Sequence, residues 1–486
     1  MSVVNPVHHL QFVKRIADPI HGLIQLTEME YNIVKHPIFQ RLRNITQLGM
    51  AKYVYPGSTH NRFSHSLGVM HNVSKIFTSA YDNWLQNKEI CGDIHADEIF
   101  SENMLQVTRI AALCHDIGHF PFSHNLEGAV RWLSDKQFIK ESFLHEDLSA
   151  YLLKHYFNDL LDDLTEQVSA LILGDYSVLG RTLFPSFVIS SAIDADRMDY
   201  LIRDSVYCGV EQGRFDGERL LDSILPYATK IDGKEHTVMG FKLKGIEALE
   251  QLLLARHRMH QTVYFNTAVV GYEAALRRGY YRLITSKNQY FDLPDIYFED
   301  PDKFIEFDEY SFWTTYSKGL KQEKSWLVDP LLNRASLSKQ GPFYHTLSIG
   351  ENLSDEARET YSLLREIKER LEIPAEDWED KDHWMYTEHK QQKLIDPLPR
   401  KIMNTTDGFE DSTSLKNVIL MINSRGELVD PTRVAYGHTF LPYITDRIYH
   451  RFIFFTAHEN RSQLKKEVSP ILTKFEDYQV RRIPFQ

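Results

Sequence analysis

Apolar residues recur at helical spacing through most of residues 37–280, and clusters of turn-forming residues interrupt the pattern at 55–58 and 118–121. Residues 104–113 are apolar on one face and lead directly into a histidine and an aspartate. This arrangement predicts a helical domain in which a buried helix carries two polar side chains into the interior. An aspartate delivered in this way can face a bound ion and not water.

The character of the chain changes towards the C-terminus. Residues 418–422 form a short β-like run, residues 423–426 carry a turn signal, and a second β-like run extends over residues 448–456. These runs predict a smaller mixed lobe. We therefore predict a mainly α fold, a helical bundle followed by a smaller mixed α/β C-terminal lobe. The predicted domains span residues 1–395 and 396–486.

The composition is that of a globular protein with a large core. The chain has 486 residues, of which 43% are hydrophobic and 12% aromatic, and its net charge is −12. A length of this order corresponds to about two to four domains. The negative charge disfavours sequence-independent binding to nucleic acid phosphates, so a polynucleotide substrate is a minority hypothesis.

Cysteine usage and the absence of targeting patterns indicate the compartment. Cys91, Cys114 and Cys208 are widely separated and form no Cys-x-x-Cys pair, which argues against a disulfide framework and against a cysteine zinc site. Residues 1–10 lack the basic and apolar regions of a signal peptide, and no segment approaches the roughly 18 apolar residues of a membrane span. We expect a soluble, cytoplasmic protein without a membrane partner.

Four residues of metal-ligand type stand in three separate segments: His65, the adjacent pair His115 and Asp116, and Asp196. Mixed imidazole and carboxylate ligation suits a divalent Mg, Mn, Fe or Zn ion with positions left for water and a substrate oxygen. Neighbouring positions on a helix diverge by about 100°, so His115 and Asp116 can reach one ion only from the interior of a bundle. Taken singly, each histidine is more often structural.

His115 and His119 also have the four-residue spacing of a zinc protease helix. Asp116 stands where that motif has glutamate and Gly118 interrupts a helix, so a protease is disfavoured. Pro121 predicts that the helix ends at that point. We place His119 beside the metal or the substrate and not among the ligands.

His124 and Glu127 are three residues apart, a spacing at which one helical turn brings an imidazole and a carboxylate into contact. Such a dyad orients one tautomer of the histidine and raises its pKa, which makes it a proton donor to a leaving alkoxide. The alternative is an exposed ion pair. His145 and Glu146 form a further polar pair whose role the spacing does not assign.

Two sets of residues repeat every four positions and therefore share a helical face. They are Asp196, Tyr200 and Asp204, which Arg197 and Arg203 flank, and Arg256, His260 and Tyr264. The first set indicates a helix that runs from the ion towards a hydroxyl-bearing substrate. The second can hold phosphates at one end and a sugar or base at the other. The alternative for both sets is a solvated helix face.

Six phrases carry a resemblance to a known family. They are Asp-Pro-Ile-His-Gly at 18–22, Phe-Gln-Arg-Leu-Arg at 39–43, Gln-Leu-Gly at 47–49, His-Asn-Arg-Phe-Ser-His-Ser-Leu-Gly at 60–68, Cys-His-Asp-Ile-Gly-His at 114–119 with Pro-Phe-Ser-His at 121–124, and residues 193–204. The chain resembles the HD-domain phosphohydrolases, and most closely the deoxynucleoside triphosphate triphosphohydrolases among them. The similarity covers roughly residues 12–280 well.

The resemblance implies an HD-domain helical bundle that converts a dNTP to a deoxynucleoside and tripolyphosphate. It implies metal ligation by the four residues named above and protonation of the leaving nucleoside oxygen by His124. Glu127 would support His124 where the family usually has aspartate. The other roles that it implies are active-site histidines at His119 and His145, sugar contacts from Gln47, Tyr200 and Asp204, phosphate contacts from Arg62, Arg197 and Arg256, and exclusion of a 2′-hydroxyl by Tyr264.

The resemblance also bears on assembly and control. Gln40 and Arg43 match positions that hold an activating guanine nucleotide between subunits, which implies a homo-oligomer, most plausibly a tetramer. Lys35 stands where that pattern has an aspartate that accepts hydrogen bonds from the guanine edge, and lysine has donors only. We expect that GTP is not an obligatory activator and that control is absent or exerted by another nucleotide, such as a dNTP.

Two other functions remain as alternatives. One is a phosphodiesterase or phosphatase that uses the same metal site on another nucleotide, such as a cyclic or signalling nucleotide. The other is a nucleotide-sensing module without catalysis. Retention of all four metal ligands and of His124 argues against the second alternative.

Overall fold

The structure is a computed structural model. It describes residues 5–175, 177–334 and 418–431, the backbone of the strands at 338–348, 384–390 and 447–456, and the single residues 462 and 466. Most of the described chain is helical, which confirms the predicted mainly α fold with smaller mixed parts.

The α-helices follow one another through the first two thirds of the chain. Their bounds are α1 (Glu28–Lys35), α2 (Pro37–Gln40), α3 (Arg62–Gln86), α4 (Lys88–Cys91), α5 (Ala96–Ile99), α6 (Glu102–Cys114), α7 (His124–Asp135), α8 (His145–Leu161), α9 (Thr165–Leu173), α10 (Phe184–Ile189), α11 (Ala195–Cys208), α12 (Gly217–Leu221), α13 (Ile246–Met259), α14 (Thr267–Ile284), α15 (Ile296–Glu299), α16 (Asp302–Glu306), α17 (Glu309–Gln322) and α18 (Val328–Leu332).

Short strands form three sheets within the described residues. Their bounds are β1 (Phe12–Asp18), β2 (Gly22–Thr27), β3 (Ile224–Ile231), β4 (Lys234–Lys242), β5 (Ser338–Ser348), β6 (Trp384–Lys390), β7 (Met421–Ile422), β8 (Leu428–Val429) and β9 (Arg447–Thr456). β1 and β2 form an antiparallel pair, β3-β4-β7-β8 form a four-stranded sheet, and β5-β9-β6 form an antiparallel three-stranded sheet.

The chain divides into two compact units, each assembled from separate stretches. The first unit comprises Met1–Thr262, Pro294–Glu309 and Leu394–Thr445, and the second comprises Val263–Leu293, Tyr310–Lys393 and Asp446–Gln486. The boundary at residue 395 stays a prediction, because compactness alone does not show which segments fold independently.

Helix α3 is the centre of the bundle in the first unit. It packs against α6 and α11, while α6 and α8 pack against α9. Met70, Val73 and Phe77 follow helical spacing along α3 and are fully buried. Burial of an apolar side chain of this size contributes about 1.5–3 kcal/mol. The periodic apolar pattern thus places α3 where helices on several sides can contact it.

Two hairpins, β1-β2 and β3-β4, were absent from the sequence prediction. The helical pattern predicted for most of residues 37–280 does not hold at β3 and β4, which pair from Ile224 with Phe241 to Ile231 with Lys234. Their turn is Asp232-Gly233, a dipeptide typical of two-residue hairpin loops, and the alternation on either side of it was the missed signal. β4 also pairs with β7, which extends the sheet beyond the hairpin.

The C-terminal β-like runs have different outcomes. β9 confirms the predicted run at residues 448–456. Of the predicted run at residues 418–422, only the last two residues form the regular strand β7, which pairs with both β4 and β8. The turn signal between β7 and β8 is confirmed, because Gly426 has a φ of +79° there.

Candidate active site

Two helix N-termini hold predicted metal ligands in place. The side chain of Asn61 caps α3 by accepting a hydrogen bond from the backbone N–H of Ser64, at 3.1 Å. Asp194 caps α11 by accepting a hydrogen bond from the backbone N–H of Arg197, at 2.8 Å. These caps fix the first turn of each helix. His65 and Asp196 project from those first turns.

The pair His115 and Asp116 follows directly after α6, as predicted, but the helix ends before Pro121 and not at it. Helix α8 approaches closely just beyond this end, since a Cβ at Gly118 would lie 2.4 Å from the carbonyl oxygen of His145. Ser149 closes the helix end, since its hydroxyl donates to the carbonyl of His115 at 2.7 Å and accepts from the Gly118 N–H at 2.8 Å. Tertiary contact therefore ends α6 earlier than the proline would.

The four predicted metal ligands lie together in the structure. Donor atoms of His65, His115 and Asp116 all lie within 4.8 Å of one another. Asp196 joins them, with its Oδ1 2.9 Å from His65 Nε2 and 4.0 Å from His115 Nε2. Two imidazoles and two carboxylates form a donor set that fits a divalent transition metal or Mg²⁺. We call these residues the HD group.

Arg62 contributes the main positive charge beside the HD group. Its Nη1 lies 2.6 Å from Asp116 Oδ2, and its Nε donates to the hydroxyl of Ser123 at 2.8 Å. Although burial opposes it, Arg62 and His115 hold the pKa of Asp116 well below its usual range. Asp116 is therefore a carboxylate ready to bind a cation.

Sequence reasoning missed a charged network behind His65. Asp199 Oδ2 lies 2.7 Å from His65 Nδ1, and its other oxygen lies 2.6 Å from His21 Nε2. Arg203 bonds both oxygens of Asp199 and reaches Asp18 at 2.8 Å. Burial by itself would lower the pKa of His65, but its hydrogen bonds to carboxylates raise it to about 10. The network thus orients the imidazole of His65.

A close approach between α3 and α11 makes this network possible. A Cβ at Gly68 would lie 2.0 Å from Asp199 Oδ1 and 2.6 Å from Arg203 Nη2. Only glycine leaves room for the carboxylate at this point. Gly68, Asp199 and Arg203 all lie in the phrases of the resemblance, but sequence spacing does not show that α11 contacts α3 here.

The predicted proton donor, its carboxylate partner and the other two predicted active-site histidines form a second group of side chains, the acid group. It consists of His119, His124, Glu127 and His145, whose donor atoms lie within 4.8 Å of one another. The predicted dyad is confirmed as a contact, because His124 Nδ1 lies 2.8 Å from Glu127 Oε2. His145 Nδ1 lies 2.5 Å from Glu127 Oε1, and the rings of His119 and His145 stack at 3.7 Å.

Exposure and charge differ strongly across the acid group. The His124 side chain is 66% exposed, whereas Glu127 is 13% exposed. Burial opposes ionisation of Glu127, but His145 and His124 hold its pKa well below the usual range. Burial likewise opposes the charge of His145, which Glu127 nevertheless stabilises, so the pKa of His145 is raised. The exposed imidazole of His124 is therefore hydrogen-bonded to the buried, negatively charged carboxylate of Glu127.

The two groups meet at one carboxylate. Asp116 Oδ1 lies 3.2 Å from His115 Nε2 in the HD group and 3.2 Å from His119 Nε2 in the acid group. The proposed metal ligands and the proposed proton donor are therefore parts of one connected site.

His60, to which sequence reasoning assigned no role, contacts two of the predicted sugar-binding residues, Gln47 and Asp204. His60 Nε2 lies 2.7 Å from Asp204 Oδ1, and its ring stacks on Tyr207 at 4.6 Å. The His60 carbonyl accepts the backbone N–H of Gln47 at 3.0 Å. His60 begins the phrase at 60–68, but the resemblance assigned it no role. Asp204 is buried, which excludes the solvated-face alternative at that position.

The predicted phosphate contacts Arg197 and Arg256 also lie near each other. Burial lowers the pKa of Arg256, and the charge of Arg197 adds to that effect. Burial raises the pKa of Tyr200 to about 12, and Arg256 opposes the shift. Arg197 also pairs with Asp194. The guanidinium groups of Arg197 and Arg256 and the phenol of Tyr200 thus interact electrostatically within the first unit.

The second predicted stripe does not lie on one continuous α-helix. Helix α13 ends at Met259, and His260–Tyr264 form a wider π-helical turn. Arg256 and His260 belong to the first unit and Tyr264 to the second. The roles that the resemblance implies for Arg256 and Tyr264 stay predictions.

The predicted activator positions cluster near α1 and α2. Arg43 Nε donates to Gln40 Oε1 at 2.8 Å, and Gln40 Nε2 donates to the Val34 carbonyl at 2.6 Å. The ammonium group of Lys35 lies 4.6 Å from the centre of the Tyr31 ring. The structure brings these residues into one neighbourhood, and their role in activation stays a prediction.

The comparisons with known proteins match this geometry. The HD domain family model matches residues 62–203, a range that contains all four residues of the HD group. An uncharacterized protein of Mycoplasma pneumoniae is 32% identical over 68% of this chain and 79% of its own length. The chain belongs to the HD-domain phosphohydrolase family.

Relatives with named activities match over a smaller share of their length. A deoxynucleoside triphosphate triphosphohydrolase SAMHD1 homolog of Dictyostelium discoideum is 28% identical over 73% of this chain and 60% of its own length.

The chain spans about half of an uncharacterized Methanocaldococcus jannaschii relative, with 36% identity over 58% of this chain and 52% of that protein.

A solved structure supports the fold. A phosphohydrolase from Bacteroides thetaiotaomicron has a TM-score of 0.62 with 24% identity, over 91% of this chain and 99% of its own.

Among the described residues, none of the helices combines the length and apolar composition that crossing a bilayer requires.

Proposed function

We propose that this HD-domain phosphohydrolase is a metal-dependent dNTP triphosphohydrolase. The observation that carries the proposal is the junction at Asp116, where four potential metal ligands adjoin a histidine–glutamate dyad able to donate a proton. Hydrolysis of a nucleoside triphosphate at the α-phosphorus needs both parts. The activity named for the Dictyostelium relative supports the choice of substrate.

The HD group would hold the metal through His65, His115, Asp116 and Asp196. A divalent ion at such a site supplies Lewis acidity, neutralises phosphate charge and lowers the pKa of water. Asp199 keeps the Nδ1 side of His65 occupied, which leaves Nε2 facing Asp196. Arg62 balances the charge of Asp116.

His124 would donate a proton to the leaving 5′-oxygen of the nucleoside. Glu127 accepts a hydrogen bond at Nδ1 of this ring, so Nε2 is the nitrogen left for the substrate. The exposure of His124 gives a substrate access to it, and the hydrogen bond to Glu127 orients the ring. Once the proton has gone, the same hydrogen bond keeps the neutral ring in place.

The other predicted substrate-binding side chains would contact the sugar and the phosphates. Asp204, which His60 holds, and Tyr200 offer groups for a 3′-hydroxyl, and Arg197 and Arg256 offer positive charge for phosphates. Groups that contact sugar and phosphates favour broad selectivity among bases, so we expect several dNTPs to be substrates.

The decisive experiment is product analysis on metal-loaded protein with a panel of dNTPs, NTPs and cyclic nucleotides. The expected products are deoxynucleoside and tripolyphosphate, and in oxygen-18 water the label should enter tripolyphosphate. Release of a nucleoside monophosphate would instead favour the alternative phosphodiesterase or phosphatase. No turnover by metal-loaded protein, while nucleotide still binds, would favour a sensing module. Asp196→Asn, which removes one proposed ligand, is the matched inactive control.

A further inference from the structure

Helix α7, which begins with His124, starts without the usual local cap. Ser123 occupies the position before the helix, where a serine side chain ordinarily accepts a backbone N–H of the first turn. Within the described part of the chain it makes no such bond. Its hydroxyl instead accepts from Arg62 Nε at 2.8 Å and donates to the carbonyl of Thr46 at 2.7 Å. The hydroxyl that could cap α7 locally thus joins the start of the helix to two distant segments.

The two residues that precede His124 have an unfavourable backbone conformation. Phe122 has a φ of +60° and Ser123 a φ of +56°. Residues other than glycine rarely adopt the left-handed region, and a bulky side chain is the least suited to it. Such a conformation persists only when surrounding contacts hold it. The turn that delivers His124 to the acid group therefore depends on the groups that bond to it.

The carboxylate of Glu309 bonds this turn to the segment at residues 46–52. Its Oε1 accepts the backbone N–H of Phe122 at 3.2 Å and that of Thr46 at 2.7 Å, and it also accepts the Thr46 hydroxyl. Its Oε2 pairs with Lys52 Nζ at 3.0 Å, and the same ammonium group lies 5.1 Å from the centre of the Phe122 ring. Glu309 is 7% exposed, so water competes little for these bonds. A single buried carboxylate thus holds both segments.

The two segments joined in this way carry different parts of the proposed site. Gln47, a predicted sugar contact, belongs to the first, and His124 directly follows the second. They also pack closely against each other, since a Cβ at Gly49 would lie 3.0 Å from the carbonyl oxygen of Phe122. A change in the contact between them would therefore move the predicted proton donor relative to the predicted sugar contact.

We propose that Glu309 is a positioning residue for His124 and that it acts through the backbone N–H of Phe122. The inference rests on the proposed function, because it links Glu309 to protonation of the leaving oxygen. Loss of the carboxylate frees this N–H and lets the turn relax towards an ordinary negative φ, which withdraws His124 from Glu127. A displacement of about 1 Å in an active site can lower a rate by about 10²-fold.

The experiment compares two substrates that differ in their need for an acid. dATP would release an alkoxide, which needs a proton, whereas bis(p-nitrophenyl) phosphate releases nitrophenolate, which leaves readily without one. Metal-loaded full-length wild type is compared with Glu309→Ala. The variant should have a kcat lower by about 10²-fold for dATP and by less than about threefold for the nitrophenyl ester. Equal losses on both substrates, or no loss on either, would overturn the proposal.

Two further variants separate geometry from charge and from general effects on this segment. The amide oxygen of Glu309→Gln can accept the same backbone N–H groups, so this variant should recover most of the turnover of dATP. A Glu309→Gln enzyme as slow as Glu309→Ala would count against the proposal. Asp308→Ala is the matched control, because Asp308 is the neighbouring carboxylate and bonds Asn44 at 2.8 Å. It should leave the ratio of the two kcat values unchanged.

Hydrogen exchange followed by mass spectrometry tests the same link without any substrate. The amide hydrogens of Thr46 and Phe122 should exchange faster in Glu309→Ala than in the wild type, while those of β3 and β4 keep their rates. Unchanged exchange at Phe122, or faster exchange throughout the chain, would overturn the proposal. If the wild type hydrolyses no dNTP, the proposed function fails, and the exchange rates still decide whether Glu309 holds the turn.

Discussion

The Nδ1 atom of His65 and the Oδ2 atom of Asp199 are 2.7 Å apart, and both side chains are almost fully buried. This bond selects the tautomer and ring orientation of His65, so that Nε2 points to Asp196. Arg203 and His21 hold Asp199 in turn. A carboxylate outside the HD group thus sets the orientation of a proposed metal ligand.

Asp199→Asn is therefore expected to weaken metal binding at the HD group by about 10–100-fold, the usual effect of losing such a partner. Competition with a chelator measures the affinity. Glu30→Gln is the matched control, because Glu30 is a buried carboxylate paired with Arg109 that has no histidine attached. If the two variants bind metal equally, Asp199 has only a structural role.

His124→Ala should lower turnover by about 10²- to 10⁴-fold, the range expected for loss of a general acid. The ion at the HD group and nucleotide binding should remain. Single-turnover assays and equilibrium dialysis separate chemistry from binding. His155→Ala, at an exposed histidine of α8, should leave turnover unchanged. An unaffected His124→Ala enzyme would shift the acid role to His119 or His145.

Tyr264→Ala should raise the rate on ATP relative to dATP, because a smaller side chain no longer excludes the 2′-hydroxyl. The ratio of kcat/KM values for the two nucleotides measures the change. Tyr264→Phe keeps the ring and should keep the ratio near that of the wild type. If neither variant alters the ratio, another residue discriminates between the sugars.

GTP should not be required for dNTP hydrolysis, because Lys35 offers only donors where a guanine edge needs an acceptor. Initial rates with and without GTP test the requirement, and sedimentation tests whether the predicted tetramer forms without it. Another dNTP is the expected activator if a lag is seen. Strict dependence of both rate and assembly on GTP would contradict this prediction.

Acid should destabilise the protein partly through His260. Burial, followed by the charge of Arg256, lowers the pKa of this histidine to about 3 from 6.5. Below pH 6.5 the unfolded chain binds a proton that the folded protein excludes, so stability falls as the pH falls towards 3. His260→Asn should recover at most about 2 kcal/mol of the stability lost between about pH 6.5 and 4.5.

Urea unfolding at both pH values gives the comparison, and exposed His155→Asn is the control. An equal loss of unfolding free energy in the wild type and in His260→Asn would contradict a role for His260. Comparing each variant with itself at the two pH values removes the direct effect of the substitution on packing.

The local parts of the site could be predicted from sequence because helices are local structures. The apolar face of residues 104–113 predicted a buried helix, and α6 places His115 and Asp116 at its end. The spacing of His124 and Glu127 predicted their contact for the same reason, since one helical turn fixes it. These relationships depend on neighbours along the chain and on 3.6-residue periodicity.

The sequence by itself determined the residue types, their order and the contacts within a helical turn. Tertiary structure decided what depends on packing between helices: the end of α6 against α8, the bond between His65 and Asp199, and the approach of His145 to Glu127. It also decided that residues 224–242 pair as strands. The physical reason is that each of these contacts joins residues far apart in the chain, and their distance is set by the close packing of whole elements and not by any local spacing.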